Sequence, residues 1–235
     1  MKWIKSTSLV QIKYPDRYRY LDIAGETSDA VVEKFGDLVL ERADPQEAIL
    51  QTNDGLVRYI FGVSNARVHA EIEKDWHREF NDNTEFFFDF VFKQLKVSYV
   101  NFFGNRTKYI AHFPDREEAH SELRKIAERN DLGTPLLEKI SDDRLANQKL
   151  DSFRFQFSDE NLNIDVTLSV AKRELQIKGP SLFMLKEEIP SEEHYLTLDF
   201  DIRTIKTLPV DQVDVQKFME SNHKLISTRL LPLFE

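Results

Sequence analysis

Apolar residues recur along this chain mostly with a period of two, the spacing that puts them on one face of a β-strand. Val68, Ala70 and Ile72 alternate with Arg67, His69, Glu71 and Glu73. Phe153, Phe155 and Phe157 alternate with Arg154, Gln156 and Ser158, and a turn at Asp159-Glu160-Asn161 leads into Leu162, Ile164, Val166, Leu168 and Val170. Leu196, Leu198, Phe200 and Ile202 repeat the pattern. Shorter strands are predicted over 8–14, 18–24, 47–52 and 56–63, and around Leu175 and Ile177, with strong turn chemistry at Asn53-Asp54-Gly55. Residues 96–113 read as strand, interrupted at Gly104-Asn105 by a turn or bulge.

Helical spacing appears in four stretches. Val31, Val32, Phe35, Leu38 and Val39 form one stripe, with Ser28 and Asp29 as caps. Asp115 opens a capping-box-like helix with Ala119, Leu123, Ile126 and Ala127 inward. Asp211 is expected to cap a last helix carrying Val215, Phe218, Met219, Leu225, Ile226 and Leu230, with Asn222 making an interfacial polar contact. Between these lies a run dense in phenylalanine. Nine of the eighteen phenylalanines fall between Trp76 and Pro114. Phe86, Phe88, Phe90 and Phe92 share a face at period two; Phe80, Phe87, Phe88, Val91 and Leu95 share one at period 3.6. The helix is favoured, capped at Asn83 or Thr84, because Glu85, Asp89 and Lys93 then line one solvated side.

Sliding the chain on itself by about 94 residues lays Tyr59–Ile72 on Phe153–Val166, so that the serines Ser64 and Ser158 coincide; two further residues of slip bring Asp115 onto Asp211. The predicted class is therefore α+β: two similar halves, each an antiparallel β-meander sheet packed on helices. The expected boundaries are an N-terminal half over 1–133, a connector over 134–149 and a C-terminal half over 150–235. The Phe-rich helix is the expected wedge between the halves.

Composition narrows the function classes. A net charge of −9 argues against nucleic acid or an anionic membrane surface as the main partner. The absence of cysteine removes disulfides and thiol chemistry, and no apolar run reaches the ~20 residues that span a bilayer. A cytoplasmic chain is the expectation. No Gly-x-Ser-x-Gly, dinucleotide fingerprint or Walker loop is present, and only seven glycines are available.

Candidate chemistry is sparse. Asp199 and Asp201 form an Asp-x-Asp pair of the kind that holds a hard cation, and they are the residues on which a metal-dependent hydrolase would rest. Alternation puts both on a polar strand face, where Arg203 is a sufficient counter-charge. His69, Glu71 and Glu73 share another such face and lack a further zinc ligand; His77, His112, His120, His194 and His223 are scattered. No catalytic or cofactor-binding residues are assigned, so the balance leans away from an enzyme. Leu182, Phe183, Met184 and Leu185 form an apolar loop able to engage a partner or an extended peptide.

The segments YIFGVSNARVHAEI, FFGNRTKYI with Gly104 and Arg106, LDFDIRT and MESNHKLISTRLLPLF, taken in that order, resemble a sporadically distributed prokaryotic family of two-halved α+β proteins of unassigned function. The likeness runs from about residue 50 onward, and it implies two similar halves and no catalytic residues. The second half is similar in strand and helix order to the export chaperone SecB, a likeness of fold alone. The expected function is non-enzymatic protein or peptide binding, chaperone-like or as a defence or toxin–antitoxin accessory, with a protein partner or a second copy as ligand. A metal-dependent hydrolase and an apolar small-molecule binder with a pocket lined by the Phe cluster are the alternatives.

Overall fold

A computed structural model of the chain describes residues 1–71, 77–130, 151–174 and 192–235. Its frame is one antiparallel sheet of nine strands in the order β2-β3-β4-β5-β1-β7-β10-β9-β8. In chain order these are β1 (Ile4–Lys13), β2 (Leu38–Ala43), β3 (Glu47–Thr52), β4 (Val57–Gly62), β5 (Asn65–Glu71), β7 (Phe102–Phe113), β8 (Ser152–Ser158), β9 (Leu162–Glu174) and β10 (Glu192–Thr204). Two short strands, β6 (Tyr99–Val100) and β11 (Leu208–Pro209), pair with each other apart from it. The protein is thus α+β. Both predicted meanders enter a single continuous sheet rather than a sheet for each half.

Alternation decides which residues face inward. On β1 these are Ser8, Val10 and Ile12; on β5, Ala66, Val68 and Ala70; on β10, Leu196, Leu198, Phe200 and Ile202, all buried. Among the described residues four helices pack onto this inner face: α1 (Tyr20–Phe35), α2 (His77–Leu95), α3 (Arg116–Arg129) and α4 (Val215–Leu225). The core divides in two. One cluster joins β1 to β5 with α1, α2 and the start of α4. The other joins β9, β10 and Tyr109 of β7 with α3 and the closing residues Ile226 and Phe234. Phe218 of α4 packs against both.

Several expectations change. The strand expected over 18–24 is the first turn of α1, and Ser28 lies inside that helix, its hydroxyl donating to Ala24 O at 2.8 Å. The buried stripe of α1 is Tyr20, Thr27, Ser28 and Val31, so polar residues occupy helical core positions and hide the period. The helix stops at Gly36, whose φ of 76° is the left-handed conformation glycine adopts at low cost, and Leu38 and Val39 belong to β2. The Phe-rich run is a helix, with Phe80, Phe87, Phe88, Val91 and Leu95 all buried, as that stripe predicts. It begins at His77 instead of being capped at Asn83 or Thr84, and Thr84 is wholly buried.

No turn interrupts Gly104-Asn105. Gly104 pairs with Gln11 on one side and Arg203 on the other, and a Cβ there would lie 2.9 Å from the Phe102 ring. The glycine makes room for that ring. Asp115 caps α3 as expected, accepting from Glu118 N at 2.8 Å. The last helix is capped by Asp214, which accepts from Lys217 N, while Asp211 lies in the preceding 3-10 turn. The coincidence of Asp115 with Asp211 therefore does not pair two helix caps. The predicted strand at Leu175 and Ile177, the connector over 134–149 and the loop Leu182–Leu185 lie outside the described residues. Among the described residues no helix is long and apolar enough to cross a membrane.

Candidate functional site: a cavity at the seam of the two cores

Along the inner face of β7 the side chains run Phe103, Asn105, Thr107, Tyr109. Phe103 belongs to the first cluster and Tyr109 to the second. Between them Asn105 and Thr107 are polar and buried, at 5% and 4% exposure. In the register of β1 against β7, Ser8 sits opposite Thr107, and it too is buried. The apolar inner face is thus crossed by a polar seam where the two clusters meet.

A cavity of about 470 Å³ opens over this seam, within the roughly 300–1,000 Å³ usual for ligand pockets. Its floor is Lys5 and Ser8 of β1 with Asn105, Thr107 and Tyr109 of β7; α2 supplies Phe80, Asn81 and Asp82 as one wall. The other wall is α4 with Gln216, Met219, Glu220 and His223, continued by Ile226. Phe80, Met219 and Ile226 are buried apolar surfaces, whereas Asp82, Glu220 and His223 lie at the exposed mouth.

The floor is under-bonded. Asn105 Oδ1 accepts from Thr107 Oγ1 at 3.1 Å, which leaves the two amide donors on Nδ2. The hydroxyls of Ser8 and Tyr109 have no partner among the described residues, although both residues are more than nine-tenths buried. Burial alone pushes the Tyr109 phenol up to about 12, so it is a neutral donor and acceptor at ordinary pH. These atoms line the cavity and are open to solvent, so a ligand group entering it exchanges hydrogen bonds with water for hydrogen bonds with the floor, a net gain of about 0.5–1.5 kcal/mol each.

Two carboxylates, Asp82 and Glu220, stand at the mouth. Glu85 of α2 is held above the usual carboxylate range, first by partial desolvation and then by Asp89, Asp214, Asp82 and Glu220. Asn222 of α4 is buried at 3% with no hydrogen-bond partner for its Nδ2 among the described residues.

The sequence-predicted metal candidates lie on the opposite, outer face of the sheet. Arg106 grips Asp199 side-on, Nε reaching Oδ1 and Oδ2 at 2.9 and 3.0 Å and Nη2 reaching Oδ2 at 2.5 Å. Arg203 turns its Nη2 to Asp165 at 2.9 Å and its Nη1 to Asp201 at 3.7 Å. Burial is the main reason the Asp201 carboxyl sits above its usual range, against the pull of Arg203 and Arg106. His69 is held below its ordinary range, mainly by burial; Glu71 opposes this, and Arg58, Arg67 and Lys108 add to it. Three cations around an imidazole disfavour a metal ion there. Among the described residues no group of three or more potential ligands is placed to hold a metal. The partner-binding candidates Leu182, Phe183, Met184 and Leu185 fall outside the described residues.

The floor residues escaped the sequence reading, yet a signal existed. Asn105 and Thr107 are in phase with Phe103, Tyr109 and Ala111, and Ser8 is in phase with Val10 and Ile12. A polar residue in the inward phase of a strand marks either a buried network or a site.

These features define a class of α+β protein: among the described residues, one broad antiparallel sheet with its helices on one face and a polar-floored cavity where two cores adjoin. No protein-family model matches the chain, and no curated protein matches it.

Proposed function

We propose that this is a non-enzymatic binding protein whose working site is the seam cavity, and that it holds a small amphipathic molecule there. The observation that carries the reading is the buried, under-bonded floor of Ser8, Asn105 and Tyr109 beneath a cavity of about 470 Å³. The apolar-pocket alternative changes in character: among the described residues a single phenylalanine, Phe80, lines the cavity, and its floor is polar. The test is a thermal-shift screen of amphipathic compounds, since a ligand that binds only the native state raises the melting midpoint. Hits should lose their shift in Ser8→Leu, which fills the floor, and in Asn105→Leu. A screen whose hits ignore both substitutions rejects the reading.

We also propose that the halves derive from one duplicated unit; the support is the shared alternation of Tyr59–Ile72 and Phe153–Val166 in sequence, while the hairpins themselves differ in register, Tyr59 pairing with Val68 but Phe153 with Leu168. We place the protein in the cytoplasm on its lack of cysteine.

Self-association is the second reading, with another copy of the chain as partner. It is favoured by β8, the outermost described strand on its side, which pairs with β9 over Ser152–Ser158 without a bulge and leaves Phe157 53% exposed. A regular edge of this kind pairs readily with a copy of itself. Sedimentation should show a dimer that Phe157→Lys dissociates; a monomer in the unaltered protein removes this reading.

A further inference from the structure

We infer that the seam cavity selects an organic cation, a compact amine whose apolar body ends in a hydroxyl or carbonyl. This rests on the reading of the cavity as a binding site and adds its chemical class.

The inference follows from the cavity's two ends. At the floor, beside Lys5, the Ser8 and Tyr109 hydroxyls and the Asn105 amide offer neutral donors and an acceptor. A ligand hydroxyl or carbonyl matches them. The walls between floor and mouth are Phe80, Met219 and Ile226, which suit an aromatic or aliphatic body. At the mouth the charge is carboxylate on both sides, Asp82 from α2 and Glu220 from α4. Asp82 and Glu220, together with Asp89 and Asp214, all act on the Glu85 carboxyl of α2. Like charges on two facing helices repel, and an ammonium between them relieves the repulsion. Lys5 and His223 also line the cavity, and each is already engaged with another residue. A carboxylate ligand would meet Asp82 and Glu220 with its own charge.

Three probes of nearly one size separate the possibilities by titration calorimetry: tyramine, its neutral N-acetyl derivative, and the anion 3-(4-hydroxyphenyl)propionate. Tyramine should bind about five-fold tighter than the neutral probe, the scale of an ion pair at a partly exposed mouth, and the anion should bind weakest. The paired substitution Asp82→Asn with Glu220→Gln should abolish the preference, bringing tyramine down to the affinity of the neutral probe, and the melting midpoint should hold or rise as the like charges are removed. Raising the ionic strength should narrow the gap. Ser8→Val should weaken all three probes together. Equal affinities, or a preference for the anion, overturn the cationic class and leave the cavity reading standing. If none of the probes binds, or if binding ignores Ser8→Val, the cavity reading falls and the cation falls with it.

Discussion

Phe218 on α4 lies against Phe103 on β7, ring centroids 4.2 Å apart and planes tilted by 31°. Phe103 is 2% exposed and belongs to the larger core cluster, while Phe218 touches both clusters. The pair therefore fastens the seam beside the cavity. Phe103→Ala should cost about 3–5 kcal/mol of stability, the usual price of emptying a fully buried phenylalanine site. Phe218→Ala should cost less because the ring is half-buried. Urea unfolding followed by circular dichroism measures both. If the clusters form one cooperative unit, Phe218→Ala lowers the midpoint and keeps a single transition.

Helix capping separates three aspartates that look alike in sequence. Asp115 and Asp214 each accept a backbone N–H at 2.8 Å, whereas Asp211 caps no α-helix. Alanine at Asp115 or at Asp214 should lose about 1 kcal/mol. Alanine at Asp211 should lose almost nothing, and thermal unfolding of the three variants side by side checks the order.

Glu85 makes stability depend on pH in a defined direction. Its carboxyl is raised in the fold by partial desolvation and by its acidic neighbours, so the native state disfavours the charged form. Below the carboxylate's ordinary range the residue is neutral in both folded and unfolded chains, and the fold loses nothing to it. As pH rises through the unfolded value and then the folded one, stability falls. Glu85→Gln should therefore be more stable than the parent near pH 7, the difference vanishing in acid and shrinking in salt. Denaturation midpoints across pH provide the measurement.

Ser8→Val should divide stability from function. The valine replaces a hydroxyl without a partner and keeps roughly its shape in the inward row with Val10 and Ile12, so the melting midpoint should hold or rise. Ligand-induced shifts should disappear. A variant that melts much lower would mean that the hydroxyl has a structural duty in the unliganded fold.

The sheet was legible because period two survives wherever one face is buried, and Phe153 to Val170 and Leu196 to Ile202 show it almost without interruption. The helix α1 was not, because Tyr20, Thr27 and Ser28 fill its buried stripe with polar atoms. In α2 the stripe from Phe80 to Leu95 was legible, but its start was not, since Asn83 and Thr84 imitate a cap from inside the helix. The cavity lay hidden for a different reason. Its floor comes from strands far apart in sequence, and only the pairing of Ser8 with Thr107 brings those polar residues to one place. Arg106 as the partner of Asp199 was equally beyond reach, because the residue nearest in sequence, Arg203, is occupied mainly by Asp165.

The position of β1 has a consequence for how the molecule assembles in time. This strand is near the start of the sequence yet lies deep in the sheet, Ser8 pairing with Ala70 on one side and Thr107 on the other. The meander from β2 to β5 closes through short loops and can form early. β1 must wait for partners contributed much later in the chain, which is the circumstance that slows folding. During that interval Val10 and Ile12, wholly buried in the finished protein, stand open to any passing strand edge. Insertion of β1 between β5 and β7 joins the two sides of the sheet, and the rate of that insertion sets how long a newly made chain stays vulnerable to aggregation.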